Sequence, residues 1–399
     1  MNKGSILVVN AGSSSLKFSV FRVHDSDQMQ VAARGQLEGL GSRPHLRVRD
    51  ASGATLFERS YTVAEAGGVE DAITLAGAWL REHLQNEPLC AVGHRVVHGG
   101  EEFTHPVLID ADVLAALEDL TALAPLHQPH NLTAIRALRE AQPTLPQIAC
   151  FDTAFHRSHP PLVDAYALPW EYYVAGVRRY GFHGLSYEYI ASILPQVAPE
   201  LAEGRVIVAH LGSGASLCAM RAGRSVDSTM GFSPLDGVPM GTRPGALDPG
   251  VLLHLINEDG MSGDDLVRLL YYESGLLGLS GISNDMRVLL KSHEPRAQFA
   301  VDYFVHQVAK QIGALAAVLG GIDGLVFTAG IGEHAPGVRA RIMEACAWLG
   351  VLTDADANRC GGPRISATDS AVSVWVIPTN EELMIARHTY ARVVGGRAG

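Results

Sequence analysis

Cysteine is scarce in this sequence, and its cysteines are not arranged for cross-links or metal binding. The 399 residues include five cysteines, an odd number, widely separated and never in a Cys-x-x-Cys pair: Cys90, Cys150, Cys218, Cys346 and Cys360. Such spacing argues against both a disulfide framework and a zinc site. We expect reduced thiols in the core of a cytoplasmic protein.

Excess positive charge and long apolar runs are also lacking. The formal net charge is −11, and the basic residues are scattered, so the basic surface of a nucleic-acid-binding protein is missing. The most apolar stretch, 312–331, contains Asp323 and five glycines, which predicts a buried helix, a turn and a strand rather than a membrane span. The apolar run at 6–9 is too short for an export signal. We therefore expect a small-molecule partner, and neither nucleic acid nor membrane.

The sequence does contain enough apolar residues for large cores. Its hydrophobic fraction is 47% and its charged fraction 18%, which is typical of a well-packed globular protein. Because 399 residues are too many for one ordinary core, we expect two domains with a boundary near Asp152.

A short pattern occurs near the start of the chain and again in its middle. Residues 5–9 predict a strand, a Gly/Ser turn follows, and residues 16–21 alternate as in a second strand. Residues 206–217 repeat this plan, with Gly212 in the place of Gly12. Two related domains would give such an approximate repeat.

The remaining periodicity predicts a mixed α/β fold. Strands are expected at 147–151 and 324–328, and Asn131 is a candidate N-cap. Helices are expected at 69–84, 112–120, 132–141, 249–257, 262–273 and 296–319, with a final helix after Thr379.

The first hairpin turn, from Asn10 to Lys17, carries the groups that a polyphosphate needs. It combines the backbone N–H groups of a tight turn with three serine hydroxyls and Lys17, one of only four lysines in the chain. It is not a Walker loop. The alternative is an ordinary hairpin turn with a surface lysine.

Two arginines lie in segments that would hold them rigidly. Arg95 lies in an apolar stretch bounded by glycines, where an unpaired guanidinium would be costly, so it is a candidate clamp for a carboxylate or a phosphoryl group. The alternative is an internal salt bridge. Arg243 lies among turn-forming residues in Gly-Thr-Arg-Pro-Gly and is either a site residue on a rigid loop or a solvent-facing arginine.

A histidine and an aspartate are further candidates. His183 stands between Gly181 and Gly184, and glycines allow the backbone close access to a ligand. Asp152 follows an apolar strand, at the carboxyl edge of a sheet where α/β proteins bind ligands. Alternatively, Asp152 caps the next segment.

The segment Gly330-x-Gly332-x-x-Ala335 suggests a different function. It follows a strand and matches a dinucleotide-binding pattern, with Asp354 at a suitable distance downstream. We regard this as the lesser alternative, because hydride transfer would leave the loop around Arg95 without a role.

Eight segments, taken in chain order, resemble the acetate kinase family. They span Val8 to Leu383 and read VVNAGSSSLKF, GHRVVHGGEEF, FDTAFH, RRYGFHGLS, AHLGSGAS, MGTRPG, FTAGIGE and PTNEEL. The resemblance implies an α/β fold of the actin-like ATPase superfamily, with two ribonuclease-H-like domains, an active site in the interdomain cleft, and a homodimer. The first domain would be 1–151 joined by the C-terminal helix 384–399, and 152–383 would be the nucleotide-binding domain.

The resemblance also implies transfer of the γ-phosphoryl group of ATP to acetate, giving ADP and acetyl phosphate. Mg²⁺, with Mn²⁺ as an alternative, would be held by Asn10 and Glu381. The implied catalytic residues are Arg95, Asp152, His183 and Arg243. Arg95 would also bind the acetate carboxylate, with Val97, Leu126, Phe182 and Pro234 around its methyl group. The implied ATP-binding residues are Lys17, His210, Leu211, Gly212, Ser213, Gly214, Asp285, Met286, Arg287, Gly330, Ile331, Gly332, Glu333 and His334.

The mechanism we expect is direct in-line transfer, with fixed positive groups stabilising a loose phosphoryl transition state. A carboxylic acid with a pKa of about 4 to 5 is already ionised at neutral pH and needs no base. We therefore expect Asp152 to position Arg95 or Mg²⁺-bound water.

Several residues depart from the family pattern and keep alternatives open. Ser213 and His334 replace common asparagines, which leaves the nucleotide preference open, while Gln128 and His130 alter the loop after Leu126. Propionate or another short acid is therefore an alternative substrate. A non-catalytic nucleotide-binding protein of the actin type and a sugar kinase are the alternatives from other classes.

Overall fold

The computed structural model describes residues 4–24, 29–83 and 88–395. The chain forms two compact units. The first unit contains residues up to Ala154 together with those from Asn380 onward, and the second contains Phe155–Thr379.

The first unit is built on one large sheet with helices. Its strands are β1 (Ser5–Ala11), β2 (Ser15–Val23), β3 (Met29–Glu38), β4 (His45–Arg49), β5 (Thr55–Ser60), β6 (Leu89–Val96), β7 (Val107–Leu108) and β8 (Gln147–Phe151). Its helices are α1 (Val69–His83), α2 (Ala111–Asp119), α3 (Gln128–Ala141) and, at the far end of the chain, α15 (Glu381–Gly395). The strand order in the sheet is β5-β4-β3-β2-β1-β6-β8-β7.

The second unit has a smaller sheet and more helices. Its strands are β9 (Arg205–Leu211), β10 (Ala215–Arg221), β11 (Arg224–Ser228), β12 (Gly324–Thr328) and β13 (Ser373–Val376), in the order β11-β10-β9-β12-β13. Its first helices are α4 (Pro161–Asp164), α5 (Trp170–Val174), α6 (Gly184–Val197), α7 (Pro249–Asn257), α8 (Gly263–Arg268) and α9 (Gly275–Ser280). The others are α10 (Met286–Lys291), α11 (Pro295–Leu319), α12 (Ala329–His334), α13 (Pro336–Ala345) and α14 (Ala355–Cys360).

The two sheets share one topology. In the first, β1 pairs antiparallel with β2 and parallel with β6, which pairs parallel with β8. In the second, β9 pairs antiparallel with β10 and parallel with β12, which pairs parallel with β13. The hairpin repeat predicted from the sequence is therefore present in the fold. The N–H of Gly12 donates to the Ser15 carbonyl and the N–H of Gly212 donates to the Gly214 carbonyl, so the second turn is one residue shorter.

Strand burial follows the side-chain pattern. Every residue of β8 and of β12 is buried, as expected for central parallel strands whose residues are apolar on both faces. Strand β4 instead alternates, with Leu46 and Val48 buried and Arg47 and Arg49 exposed, because only one of its faces meets the core. The core of the first unit lies between this face of the sheet and α1, whose Ile73, Ala76 and Trp79 are buried.

The predicted elements agree with the structure except in three details. Asn131 is not an N-cap, because α3 begins three residues earlier at Gln128, and the Asn131 side chain bonds to other segments. The predicted helix 262–273 consists of α8 and a separate π-helical turn, Leu269–Glu273. The cysteines are free, but Cys360 is exposed and Cys90 half-buried rather than in the core.

The two compact units differ slightly from the predicted domain limits. Asp152 and Thr153 belong with the first unit, where Thr153 Oγ1 accepts a bond from the Gly99 N–H at 3.0 Å. The last helix, α15, contacts β1 and β6 of the same unit. The predicted division into domains 1–151 with 384–399, and 152–383, remains a proposal. In the part of the chain that the structure describes, no helix is both long and apolar enough to span a membrane.

Candidate active site

Arg95 and Asp152 meet at the carboxyl ends of two parallel strands of the first unit. Arg95 lies in β6, and Asp152 follows β8 directly. Arg95 Nε donates to Asp152 Oδ1 at 3.1 Å, and Nη2 donates to Oδ2. The carboxylate of Asp152 is buried, with only 2% of its side chain exposed, whereas 22% of the Arg95 side chain remains exposed. The arrangement is a two-point ion pair whose cation still reaches the surface of the unit.

Two further predicted residues surround the same guanidinium. Arg95 Nη1 donates to Oδ1 of Asn10 at 3.3 Å. Burial disfavours the charged form of Arg95, but the carboxylates of Asp152 and Glu381 outweigh this effect and raise the pKa of Arg95 above its ordinary value. Asn10, Arg95, Asp152 and Glu381 thus form one polar cluster, in which the arginine is permanently charged.

Lys17 lies on the same face of the sheet as Asn10. The two residues are directly opposite each other in the antiparallel pair of β1 and β2, and opposite residues in such a pair project from the same face. Lys17 is exposed, so its ammonium group is accessible to a ligand.

The side chain of Asn131 joins the ends of the two strands that carry Asn10 and Arg95, although the sequence predicted a helix N-cap at this position. Its Oδ1 accepts from the Val97 N–H at 3.1 Å, and its Nδ2 donates to the Ala11 carbonyl at 2.8 Å. Ala11 and Val97 are neighbours in sequence of Asn10 and Val96, so one buried amide ties the end of β1 to the end of β6. No local feature of the sequence indicated this role, because both partners are distant along the chain.

In the second unit, His183 lies in a left-handed conformation just before α6, with φ 58° and ψ 23°. Its Nδ1 lies 2.9 Å from Ser216 Oγ, which is 2.5 Å from the hydroxyl of Tyr187. Its ring stacks on His210, with centroids 4.3 Å apart and an interplanar angle of 19°. The imidazole is therefore fixed by contacts on its edge and its face.

Arg243 and His183 converge on Gly214, at the end of the second Gly/Ser turn. A Cβ atom built on Gly214 would lie 2.8 Å from Arg243 Nη2 and 3.2 Å from His183 Nε2. A side chain at this position would collide with both groups, so the absence of one lets them approach the turn. Arg243 Nη1 also donates to the carbonyl of Pro234 at 2.8 Å.

A cavity of about 450 Å³ opens beside the same turn. It contains eight of the predicted ATP-binding residues, namely Gly212, Ser213, Asp285, Met286, Arg287, Gly330, Ile331 and His334. Asn284, Leu290 and Ala335 also line it and were missed. Its size and its mixture of glycine backbone, apolar and polar groups suit a nucleoside.

Other predicted ATP-binding residues have structural contacts near this cavity. Glu333 Oε1 accepts from the Ala329 and Thr379 N–H groups, at 2.8 and 3.3 Å. Nδ1 of His210 lies 2.8 Å from Ser186 Oγ. Asp285 pairs with the exposed Arg287, whose hydrogen bond is the main cause that lowers the pKa of Asp285. Asp285 also caps α10 by accepting from the Arg287 N–H.

The predicted acyl pocket is divided between the units. Val97, which is buried, and Leu126, which is half-buried, belong to the first unit. Phe182 and Pro234, both buried, belong to the second. The pocket that the four would form remains a prediction.

Comparison with known proteins gives one consistent answer. The family described as the Acetokinase family matches residues 5–387. An acetate kinase of Nitrobacter hamburgensis is 57% identical over 385 residues, which are 96% of this chain and 95% of that protein. Among solved structures, a propionate kinase from Francisella tularensis subsp. tularensis SCHU S4 has a TM-score of 0.89 and 37% identity, covering 97% of this chain and 99% of its own. The Porphyromonas gingivalis acetate kinase has a TM-score of 0.87 and 35% identity, with the same coverage.

These likenesses confirm the α/β fold of the actin-like ATPase superfamily that the sequence predicted. They leave the dinucleotide-binding alternative without support. The roles of individual residues, and the place of the active site relative to the two units, remain predictions.

Proposed function

Since the chain belongs to the acetokinase family, we propose that it transfers the γ-phosphoryl group of ATP to acetate in a reversible reaction that gives acetyl phosphate and ADP. It is a phosphotransferase with a carboxyl group as acceptor. The observation that carries the acceptor class is Arg95, a permanently charged guanidinium held by Asp152 and still partly exposed.

Arg95 binds the carboxylate of the acceptor. Its Nε and Nη2 are occupied by Asp152, whereas Nη1 has only a 3.3 Å contact with Asn10. This less tightly held edge of the guanidinium is available to an incoming anion. Val97, Leu126, Phe182 and Pro234 surround the methyl group.

ATP occupies the cavity beside the second Gly/Ser turn. Its base and ribose lie against 285–287 and the backbone of 330–334, and its phosphates lie along 210–214. Lys17 contributes a point charge to the binding of the phosphates.

In the chemical step, one oxygen of the acceptor carboxylate forms a bond to the γ-phosphorus. The bond from that phosphorus to the bridging oxygen breaks, and ADP leaves with the electron pair. Arg243 and His183 lie together against Gly214, where they stabilise the charge on the transferring group. Because both are fixed before the reaction, little reorganisation is needed at the transition state.

Asp152 acts as a positioning residue and not as a base. The acceptor is already ionised at neutral pH, and both carboxylate oxygens of Asp152 face Arg95. Its role is to hold the orientation and the charge of that arginine.

The donor atoms of Asn10 and Glu381 fit Mg²⁺. Mg²⁺ prefers oxygen ligands and keeps several waters beside one or two protein groups and the substrate phosphates. Asn10 offers a weakly held carbonyl oxygen, and Glu381 is a half-buried carboxylate close enough to influence Arg95. Bound there, the ion would neutralise phosphate charge. Mn²⁺, with similar ligand preferences, would serve as an alternative.

The test is trapping of acyl phosphate by hydroxylamine, with ATP, Mg²⁺ and either acetate, propionate or butyrate. Formation of acetyl phosphate that collapses in Arg95→Ala supports the proposal, and the acid with the highest kcat/KM identifies the substrate. Arg136→Ala is the matched control, because Arg136 forms an exposed pair with Glu118 in the same unit. Phosphorylation of a sugar, or ATP binding without formation of acyl phosphate, would contradict the proposed carboxylate kinase activity.

We also propose that the enzyme is a cytoplasmic homodimer. All five cysteines are free, which fits a reducing compartment. No residue of α7 is buried, and its Val251, Leu253 and Ile256 are all exposed. An apolar helix with no buried face needs a partner, and a second copy of the chain would supply one.

A further inference from the structure

A buried histidine outside the predicted site, His156, is bonded to the backbone of the loop that carries His183. Its side chain has no exposed surface. Nε2 lies 3.0 Å from the Phe182 carbonyl, and Nδ1 lies 2.8 Å from Ser225 Oγ. The ring also lies close against the loop, since a Cβ atom built on Gly181, which has φ 74°, would be 2.6 Å from His156 Cδ2.

These partners determine where the proton of His156 lies. A carbonyl only accepts, so Nε2 must carry the hydrogen. Burial, followed by the electrostatic effect of neighbouring His159, lowers the pKa of His156 well below its ordinary value, and the ring is therefore neutral. Nδ1 is then an acceptor, and the Ser225 hydroxyl donates to it. The Phe182 carbonyl thus selects the tautomer, and the serine hydroxyl supplies the donor that its other ring nitrogen needs.

The Phe182 carbonyl is one end of the peptide bond that leads into His183. Its direction therefore sets φ of His183, which is 58°. That conformation costs free energy in any residue with a Cβ atom and persists only where the surroundings enforce it. A hydrogen bond from a buried donor enforces it here, because rotation of the peptide would leave both the carbonyl and the imidazole N–H without these partners.

We infer that His156 is a positioning residue for phosphoryl transfer: its Nε2–H holds the 182–183 peptide, and through it the imidazole of His183 and the ring of Phe182. The inference rests on the proposed function, in which His183 stabilises the transferring group. The inference assigns a role to His156, the histidine of the FDTAFH segment. The contacts of His183 with Ser216 and His210 orient its ring, while His156 orients the backbone from which that ring extends.

A neighbouring histidine provides a matched control. His159 is also almost fully buried, and its ring centroid lies 5.6 Å from that of His156. Its Nε2 lies 2.8 Å from the same Ser225 hydroxyl, and its Nδ1 faces Asp164 at 3.5 Å. It therefore belongs to the same buried network through Ser225, but its other ring nitrogen faces Asp164 whereas that of His156 bonds to Phe182.

The experiment compares His156→Asn, His156→Gln, Ser225→Ala and His159→Gln in the acyl phosphate assay, with thermal unfolding of each variant. The amide nitrogen of glutamine reaches about the position of Nε2, whereas that of asparagine reaches only about the position of Nδ1. We expect His156→Asn to lower kcat roughly 10²-fold, the usual cost of misplacing a catalytic group by about 1 Å, with KM for ATP little changed. His156→Gln should restore kcat to within about tenfold of the wild type.

The other two variants separate positioning from folding. Ser225→Ala should lower kcat in the same direction as His156→Asn, because it leaves the buried Nδ1 of His156 without its donor and removes one of the two bonds that hold the ring. His159→Gln should lower the melting temperature and leave kcat near that of the wild type. Unchanged kcat in His156→Asn and Ser225→Ala, with an active wild type, would overturn this inference alone. A wild type that forms no acyl phosphate would overturn the proposed function and this inference together.

Discussion

Both oxygens of the Asp152 carboxylate face the guanidinium of Arg95, with Nε 3.1 Å from Oδ1 and Nη2 donating to Oδ2. The carboxylate is buried while part of the arginine remains exposed. An ion pair of this kind fixes the direction in which the arginine presents its remaining N–H groups. Asp152 is therefore placed to act on the acceptor through Arg95.

Asp152→Asn should lower kcat/KM for acetate roughly 10²-fold, because Arg95 is no longer held in position and misplacing a binding group by about 1 Å costs about that factor. The amide also places an N–H group against the guanidinium. The loss should be similar from about pH 6 to about pH 9, since no proton is transferred by this residue. Recovery of the rate at high pH would count against the positioning role. The matched control is Glu118→Gln, which breaks the exposed pair with Arg136 and should change the rate by less than about twofold.

A second prediction concerns the amide that ties β1 to β6. Asn131→Leu should lower the free energy of unfolding by about 3 kcal/mol, because it leaves the Val97 N–H and the Ala11 carbonyl without their present partner. Asn131→Asp keeps the acceptor for Val97 but places an oxygen against the Ala11 carbonyl, so it should also destabilise the protein. Urea unfolding measures both. Wild-type stability in the leucine variant would show that the amide is dispensable.

Asn131 also shows where reading the sequence falls short. The hairpins at 5–21 and 206–217 were predictable because alternating apolar residues and a Gly/Ser turn are local signals. Asn131 was assigned to a helix start because asparagine commonly caps helices. Its bonds reach Ala11, which is distant along the chain, and nothing local in a sequence indicates such a partner.

Some residues of the candidate site could likewise be predicted from the sequence and others could not. Arg95 could be picked out because a cation among glycines and apolar residues needs a counter-charge, and the salt bridge weighed for it is present. Arg243 could be picked out because turn-forming residues would hold it on a rigid loop. The contact of Arg243 and His183 with Gly214 depends on three segments meeting, and only family resemblance indicated it. His156 carried no local signal, since its partners are a loop carbonyl and Ser225.

A third prediction tests the nucleotide cavity. Gly330 lines it, and a Cβ atom built there meets nothing within 4 Å, so Gly330→Leu should fill the cavity without disturbing the fold. We expect KM for ATP to rise at least about tenfold, equivalent to about 1.4 kcal/mol, with KM for acetate nearly unchanged. Gly337→Leu is the matched control, because Gly337 is equally open but exposed on α13. Equal KM values for ATP in the two variants would place the nucleotide elsewhere.

A fourth prediction follows from buried His94. Its Nε2 lies 2.7 Å from the side-chain amide of Gln147, and burial lowers the pKa of His94 from 6.5 to about 4. As the pH falls, the imidazole of His94 therefore takes up a proton in the unfolded chain before it does so in the folded protein. The contribution of neutral His94 to the free energy of unfolding is fully present above about pH 6.5 and is lost as the pH falls towards about 4. This loss amounts to about 3 kcal/mol.

Urea unfolding at several pH values measures this loss. His94→Gln should flatten the fall in unfolding free energy between about pH 6.5 and about pH 4, because the variant no longer takes up that proton on unfolding. His293→Gln, at an exposed position, should leave the slope as in the wild type. The same slope in all three proteins would mean that His94 is not buried in its neutral form.

The exposed apolar face of α7 provides the last prediction. Leu253 is 60% exposed and Val251 40%, and charged residues are disfavoured at the core of an interface between subunits. The double variant Val251→Glu, Leu253→Glu should therefore shift a dimer to a monomer in analytical ultracentrifugation. Its thermal unfolding should show that each subunit still folds. Leu56→Glu, a similarly exposed leucine in β5 of the first unit, is the control that should leave the mass unchanged. A dimer that survives the double variant would place the interface away from α7, and a monomeric wild type would overturn the proposed self-association.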